Sequence, residues 1–295
     1  MSNTVLSWRN WLLHHTHSSI TSAAPTVNNI ENLLTPRLSE VATFVNFSEP
    51  EGESQFSIGF QIRDDTDTAI DVAIGVVGLL SVIGVQNVSH VENLYVLIRN
   101  AANENVFESG STPYLLSSTD GFNQHVWLLL PTEVIGSNVY VEIQTQGGGL
   151  VDHTISVGGA WIGPLFTTDL GLEEGWGCEI KDLGEMGKSI GQQGYPQVKR
   201  RYRVITGEYA AFDRTTAYGD PLTPDVMDAQ RLMFEIGTTG FCVFFPITKN
   251  ELGTAQDEHI VHRLGTYGHF DQFGKIDKQG ADDYKWGPFV FKECM

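Results

Sequence analysis

Apolar and polar residues alternate along most of this chain, and a period of two marks strands buried on one face. The clearest case is residues 56–62, where Phe56, Ile58, Phe60 and Ile62 are separated by Ser57, Gly59 and Gln61. Val139, Val141 and Ile143 alternate in the same way with Tyr140, Glu142 and Gln144. Residues 94–99, 125–130 and 154–161 predict further strands. The Val-, Ile- and Gly-rich run 70–85 predicts a buried strand and turn, with a helix as the alternative. Turn-forming residues at 100–105, 117–123, 137–138 and 147–149 separate these runs. Short strands divided in this way predict an antiparallel sandwich.

The texture changes in the second half. Residues 171–194 are rich in glycine and acids and predict an irregular excursion. Strands are expected again at 198–205, 232–236 and 241–247, and at the tail 284–293 around Trp286, Phe289 and Phe291. Residues 221–230 predict a short helix, because Thr223 can cap, Pro224 suits the first helical position and Asp225 the first turn. At the other end, Trp8, Trp11, Leu12 and Leu13 precede His14, His15 and His17. This short cluster predicts either an amphipathic turn of helix or an extended arm that docks on a neighbour. The organisation expected is thus an arm over 1–25, a β-sandwich over 26–165, and a second β-rich module or elaboration over 166–295.

Composition narrows the function classes. The 295 residues carry 18 Lys and Arg against 36 Asp and Glu, a formal charge of −18. Nucleic-acid binding draws its affinity from cationic side chains, so nucleic acid and anionic membrane are poor partners. The longest apolar run, 76–85, is interrupted by Gly78, Ser81 and Gly84 and is far short of the roughly 20 residues of a membrane span. No membrane insertion and no signal peptide are expected. Cys178, Cys242 and Cys294 form no CxxC pair and are odd in number, which predicts reduced thiols.

Two stretches carry a resemblance. Residues 25–36, Pro-Thr-Val-Asn-Asn-Ile-Glu-Asn-Leu-Leu-Thr-Pro, together with the alternating run 56–62, resemble the entry to galactose-binding-like, discoidin-type jelly rolls. Residues 139–143, then 155–164 (Ile-Ser-Val-Gly-Gly-Ala-Trp-Ile-Gly-Pro), 191–194, the basic strand 199–203 and the aromatic tail 286–291 are similar to structural proteins of tailed-bacteriophage virions, of the tail tip and baseplate type. The resemblance spans roughly 25–295 and implies a mainly β, antiparallel jelly-roll sandwich in a virion protein assembled in a host cytoplasm. It also implies homo-oligomers and other virion proteins as partners. The ligand loops of sugar-binding jelly rolls are not identifiable in this sequence.

The candidate chemistry is sparse. His14, His15 and His17 lack a converging cysteine or carboxylate. Asp64, Asp65, Asp67 and Asp71 lack the central glycine and closing glutamate of an EF-hand loop, and turn geometry alone accounts for Asp there. Glu173, Glu174, Glu179, Asp182 and Glu185 show no glycosidase motif. No nucleophile elbow, phosphate loop or dinucleotide fingerprint is present. No catalytic, cofactor or metal residue is therefore expected. The interface candidates are Trp8, Trp11 and Trp176, with the basic run Lys199, Arg200, Arg201 and Arg203 pairing with the acidic excursion or a neighbouring subunit. The expected function is non-enzymatic: assembly of a virion through sandwich faces and arms. The alternative is a carbohydrate- or receptor-binding module that takes a host-surface glycan, with a glycan-depolymerising enzyme third.

Overall fold

The computed structural model describes residues 4–15, 17–22, 26–45, 53–85, 90–110, 112–113, 125–146, 154–168, 171–183, 185–188, 194–197, 201–223, 226–249 and 256–294. The turns expected at 117–123 and 147–149, the helix start at Pro224 and Asp225, and Lys199 and Arg200 lie outside the described residues. The chain divides into two compact units. One comprises Arg9–Leu165 with Glu258–Gly265, the other Met1–Trp8, Phe166–Asp257 and Thr266–Met295.

The first unit is a β-sandwich. One layer is a six-stranded antiparallel sheet in the order Thr112–Pro113, His90–Arg99, Asn138–Gln146, Glu53–Gln61, Ser19–Ser22, with Asn105–Glu108 also paired to His90–Arg99. The facing layer joins the three-stranded sheet Val126–Gly136, Val72–Leu80, Gly159–Gly163 to the four-stranded sheet Thr26–Asn28, Ala42–Val45, Thr154–Val157, Ile83–Val85. Between them lies a core fed by alternate residues of both layers, including Ile58, Phe60, Val96, Ile98, Val139 and Val141 from one and Phe44, Val77, Leu79, Leu128, Ile155 and Ile162 from the other. The alternation read at 56–62 and 139–143 thus places Ile58, Phe60, Ile62, Val139, Val141 and Ile143 inward, as period-two burial requires.

The expected single strand over 154–161 breaks at Gly158 into two strands of different sheets. A Cβ there would lie 2.5 Å from the Leu38 carbonyl oxygen, so the chain can turn this corner only with glycine. On the side of Val72–Leu80 turned away from the core, Gly78 pairs with both Trp127 and Trp161. The Trp127 ring fills the space a side chain at 78 would need, with ring carbons 2.2 and 2.3 Å from that Cβ position. The helix Glu258–Leu264 and the residue after it meet this tryptophan: its backbone N–H donates to His262 Nδ1 (3.3 Å) and its indole N–H to the Gly265 carbonyl (3.3 Å).

The second unit is an eight-stranded antiparallel sheet in the order Phe166–Thr168, Thr4–Ser7, Cys242–Phe245, Thr266–Gln272, Tyr284–Glu293, Arg201–Phe212, Gly177–Asp182, with Lys275–Lys278 also on Tyr284–Glu293. Its core is aromatic. Phe244, Phe270, Phe289 and Phe291 meet edge to face or tilted, and Tyr209 stacks on Trp286 with centroids 4.7 Å apart and planes 3° from parallel. The helices Arg214–Tyr218 and Ala229–Ile236 add Ala217, Ala229, Leu232 and Ile236 to it.

Three expectations are corrected here. Residues 232–236 are helical, not a strand: Asp228, not Thr223, caps Ala229–Ile236 by accepting the Arg231 N–H at 2.8 Å. Ala229, Leu232 and Ile236 then recur at helical spacing on the buried side. The excursion 171–194 is partly regular, since Gly177–Asp182 extends the large sheet by pairing with Arg201–Phe212. The N-terminal segment is not an arm among its described residues. Thr4–Ser7 is hydrogen-bonded between two strands of the large sheet. Asn10 is clamped to the sandwich by bonds to the Ala160 carbonyl and the Ile162 N–H, Leu12 is in the core, and Ser19–Ser22 is an edge strand.

Candidate functional site: the outward face of the six-stranded sheet

The side of the six-stranded sheet turned away from the core carries residues fixed by strand register. One row across the sheet reads Ser19, Gln61, Asn138, Arg99 and Asn105, and the next reads Thr21, Gly59, Tyr140, Leu97 and Glu108. Beyond them Ser57, Glu142 and Tyr95 stand side by side. This is a rigid lattice of hydrogen-bonding groups around one large ring.

Tyr140 is that ring, 37% exposed at the centre of the lattice. Glycine at 59 gives it room: a Cβ there would lie 3.3 Å from two Tyr140 ring carbons and 2.8 Å from Thr21 Oγ1. The Arg99 guanidinium sits 5.5 Å from the ring centroid, within cation–π range. Its Nε donates to Asn105 Oδ1 (2.9 Å) and one terminal nitrogen to Asn103 Oδ1 (3.3 Å). Both amides come from one tight turn, in which Asn103 is left-handed (φ +64°), its N–H donates to the Asn100 carbonyl, the Asn100 N–H donates to the Glu104 carbonyl, and the Glu104 N–H donates to Asn100 Oδ1. Asp71 pins the same turn by accepting the Ala101 N–H at 2.7 Å. Tyr95 donates its hydroxyl to Glu108 at 2.6 Å, and this bond to a carboxylate is the main cause that raises the phenol's pKa. Gln61 donates to Asn138 Oδ1 and accepts from Arg63 Nε, extending the polar lattice along the sheet.

The residues singled out from sequence are placed elsewhere and are engaged within their own units. Trp8 packs half-buried on the aromatic core. Trp11 packs on the sandwich core, donates its indole N–H to the Ala73 carbonyl (2.7 Å) and stacks on His15. Trp176 lies against the aromatic core, its Cβ 3.0 Å from where a side chain on Gly207 would begin. Arg201 pairs with Asp182 at 2.9 Å, which is the expected partnership with the acidic excursion. Arg203 instead turns to Glu293, through its side chain and its backbone N–H. Each of these described residues makes a contact within its own unit.

The other candidate clusters do not converge. Asp64 closes its own turn by accepting from Thr66 and Thr68, and the Thr66 hydroxyl leads in holding its carboxyl below the ordinary value. Asp67 pairs with Arg63, and Asp71 serves the Ala101 N–H. Burial holds His15 below the ordinary histidine pKa. Among the described residues no group of three or more His, Cys, Asp or Glu is arranged to hold a metal. All three cysteines are free thiols. Cys294 lies 3.3 Å from His269 Nδ1, but burial pushes its thiol up to about 11, the opposite of an activated nucleophile. Glu173 and Glu208 both hold Lys285.

No known protein family matches the chain, and no curated protein matches it. Solved structures similar to it include the lectin domain of lectinolysin complexed with Lewis B antigen (14% identity, TM-score 0.36, covering 53% of this chain and 96% of that one). A second is a family 32 module of Clostridium perfringens in complex with GalNAc-β-1,3-galactose (11% identity, TM-score 0.35, 51% and 97%). A third is a Streptococcus pneumoniae fucose-binding module (11% identity, TM-score 0.35, 53% and 95%). Each match spans about half of this chain at a low TM-score, and none of these three gives the expected virion origin any support.

Sequence reasoning missed Arg99, Tyr140 and Gly59 as a group. The alternation at 139–143 already put Tyr140 among the polar positions, but nothing local to it announces that Gly59 and Arg99 are its neighbours.

Proposed function

We propose that this chain is a non-catalytic carbohydrate-binding protein whose sandwich presents the Tyr140 face to a glycan. The observation that carries this reading is an exposed tyrosine at the centre of an ordered sheet face, with a donor (Arg99) and acceptors (Glu142, Glu108) around it. A sugar ring has an apolar C–H face and a rim of hydroxyls. An aromatic ring covers the first, and fixed polar side chains orient the second. The open sheet suits the middle of a polysaccharide chain rather than a buried terminal sugar. Screening the full chain on a glycan array, followed by calorimetry, tests this. Tyr140→Ala is expected to weaken binding by at least about tenfold, roughly 1.4 kcal/mol, with the fold unchanged by circular dichroism. Retention of no glycan, or equal binding by the variant, would sink the reading.

A second reading, assembly into a larger particle such as a phage tail tip or baseplate, is favoured by the helix Ala229–Ile236. Its Phe234 is 89% exposed, and Leu222 and Val226 on the preceding segment are exposed as well. Where such side chains adjoin in one contiguous patch they mark a protein contact surface. Light scattering over a concentration series is expected to show a mass above the 32.6 kDa monomer, and Phe234→Ser is expected to return it to the monomer. A strict monomer at every concentration counts against self-assembly through this surface.

A further inference from the structure

We propose that the Tyr140 face selects acidic glycans, with Arg99 binding the carboxylate or sulfate of the sugar that rests on Tyr140. This rests on the carbohydrate-binding reading and adds to it the class of sugar. Arg99 differs from four other arginines of this protein in what holds it. Arg37, Arg63, Arg201 and Arg203 each pair with a carboxylate, Glu40, Asp67, Asp182 and Glu293 respectively. Arg99 is held by two neutral amide oxygens, of Asn103 and Asn105, and by the Tyr140 ring. Among the described residues no carboxylate forms an ion pair with it. The carboxylates nearest in register have their own partners: Glu108 accepts from the Tyr95 hydroxyl and Glu104 from Asn100 Nδ2.

A guanidinium has five N–H donors in a planar fork, and two are engaged here. The remaining donors belong to a group already fixed in orientation, so little side-chain entropy is left to lose when an anion docks. Carboxylate and sulfate both match the fork. The bulk charge of −18 opposes an anion, but that repulsion is screened beyond about 8 Å at physiological salt, which leaves the local pairing to decide selection.

The test is calorimetry of the full chain at physiological salt with four probes: a galacturonic acid oligosaccharide, the neutral galactose oligosaccharide of equal length, dextran sulfate and dextran. Wild type is expected to bind one acidic probe about tenfold or more tighter than its neutral counterpart. Arg99→Gln is expected to erase that preference, the acidic probe losing about tenfold more affinity than its neutral counterpart, and Arg99→Lys to fall between because it keeps the charge without the fork. Preference for the uronate assigns a carboxylate, and preference for dextran sulfate alone assigns a sulfate. Equal binding of acidic and neutral probes, unchanged in Arg99→Gln, overturns the inference and leaves the carbohydrate reading standing. Failure of all four probes to bind overturns both.

Discussion

Replacing Arg203 by Met is expected to lower the unfolding free energy by about 3–5 kcal/mol. Arg203 and Glu293 lie on neighbouring strands of the large sheet, and both side chains are 8% exposed. Glu293 accepts from Arg203 Nε at 3.0 Å, from a terminal guanidinium nitrogen at 2.5 Å and from the Arg203 backbone N–H at 2.8 Å. Removing the guanidinium leaves a carboxylate out of water with only one of these donors, and an uncompensated buried charge is what makes such truncations costly. The pair itself contributes far less than that figure, because both ions lose hydration when they come together. The double variant Arg203→Met with Glu293→Leu is therefore expected to recover most of the loss. Urea denaturation followed by tryptophan fluorescence measures both. A single variant within about 1 kcal/mol of wild type would mean that water reaches the pair.

Trp286→Ala is expected to cost about 3–5 kcal/mol, the range for removing a large buried aromatic side chain. Trp286 is fully buried, lies parallel to Tyr209, approaches Phe270, Phe273 and Phe289, and donates its indole N–H to the Phe273 carbonyl at 2.6 Å. Truncation opens a cavity walled by stiff rings that cannot collapse into it, and it strands a buried carbonyl. Trp286→Phe keeps part of the stack and is expected to lose less. Thermal unfolding by calorimetry distinguishes the two, and equal melting temperatures for Trp286→Ala and wild type would mean that the aromatic cluster does not organise this unit.

The glycan and assembly readings also make separate demands on the two units. Tyr140 and Arg99 lie on the sandwich, whereas Phe234 lies on the aromatic unit. Tyr140→Ala is therefore expected to change binding without changing mass, and Phe234→Ser the reverse.

Much of the sandwich was legible in the sequence, because one-sided burial imposes a period of two that any reader can count. Phe56 to Ile62 and Val139 to Ile143 became adjacent strands, with the apolar residues inward wherever their side chains are described. The tail around Trp286, Phe289 and Phe291 became a strand for the same reason. Residues 232–236 failed this test, because five residues with apolar ends fit either period and only the Asp228 cap and the burial of Ala229 settle the helix. The N-terminal segment failed differently. Tryptophans and histidines in a short run give no periodicity, and its place depends on partners far along the chain, Ala160 for Asn10 and Ala73 for Trp11.

Patterning along the chain is enough to class this protein as mainly antiparallel β and acidic, and to put Tyr140 on the polar side of its strand. Tertiary structure alone decided which polar residues stand together. Strand register brought Gly59 to one flank of Tyr140 and the strand of Arg99 to the other across about 80 and 40 residues of chain. It also gave Arg203 to Glu293 while the adjacent acidic excursion took Arg201. Alternation specifies which face a side chain occupies, since that depends only on its own strand. Its neighbours on that face depend on pairing with strands distant in sequence, and no local pattern encodes them.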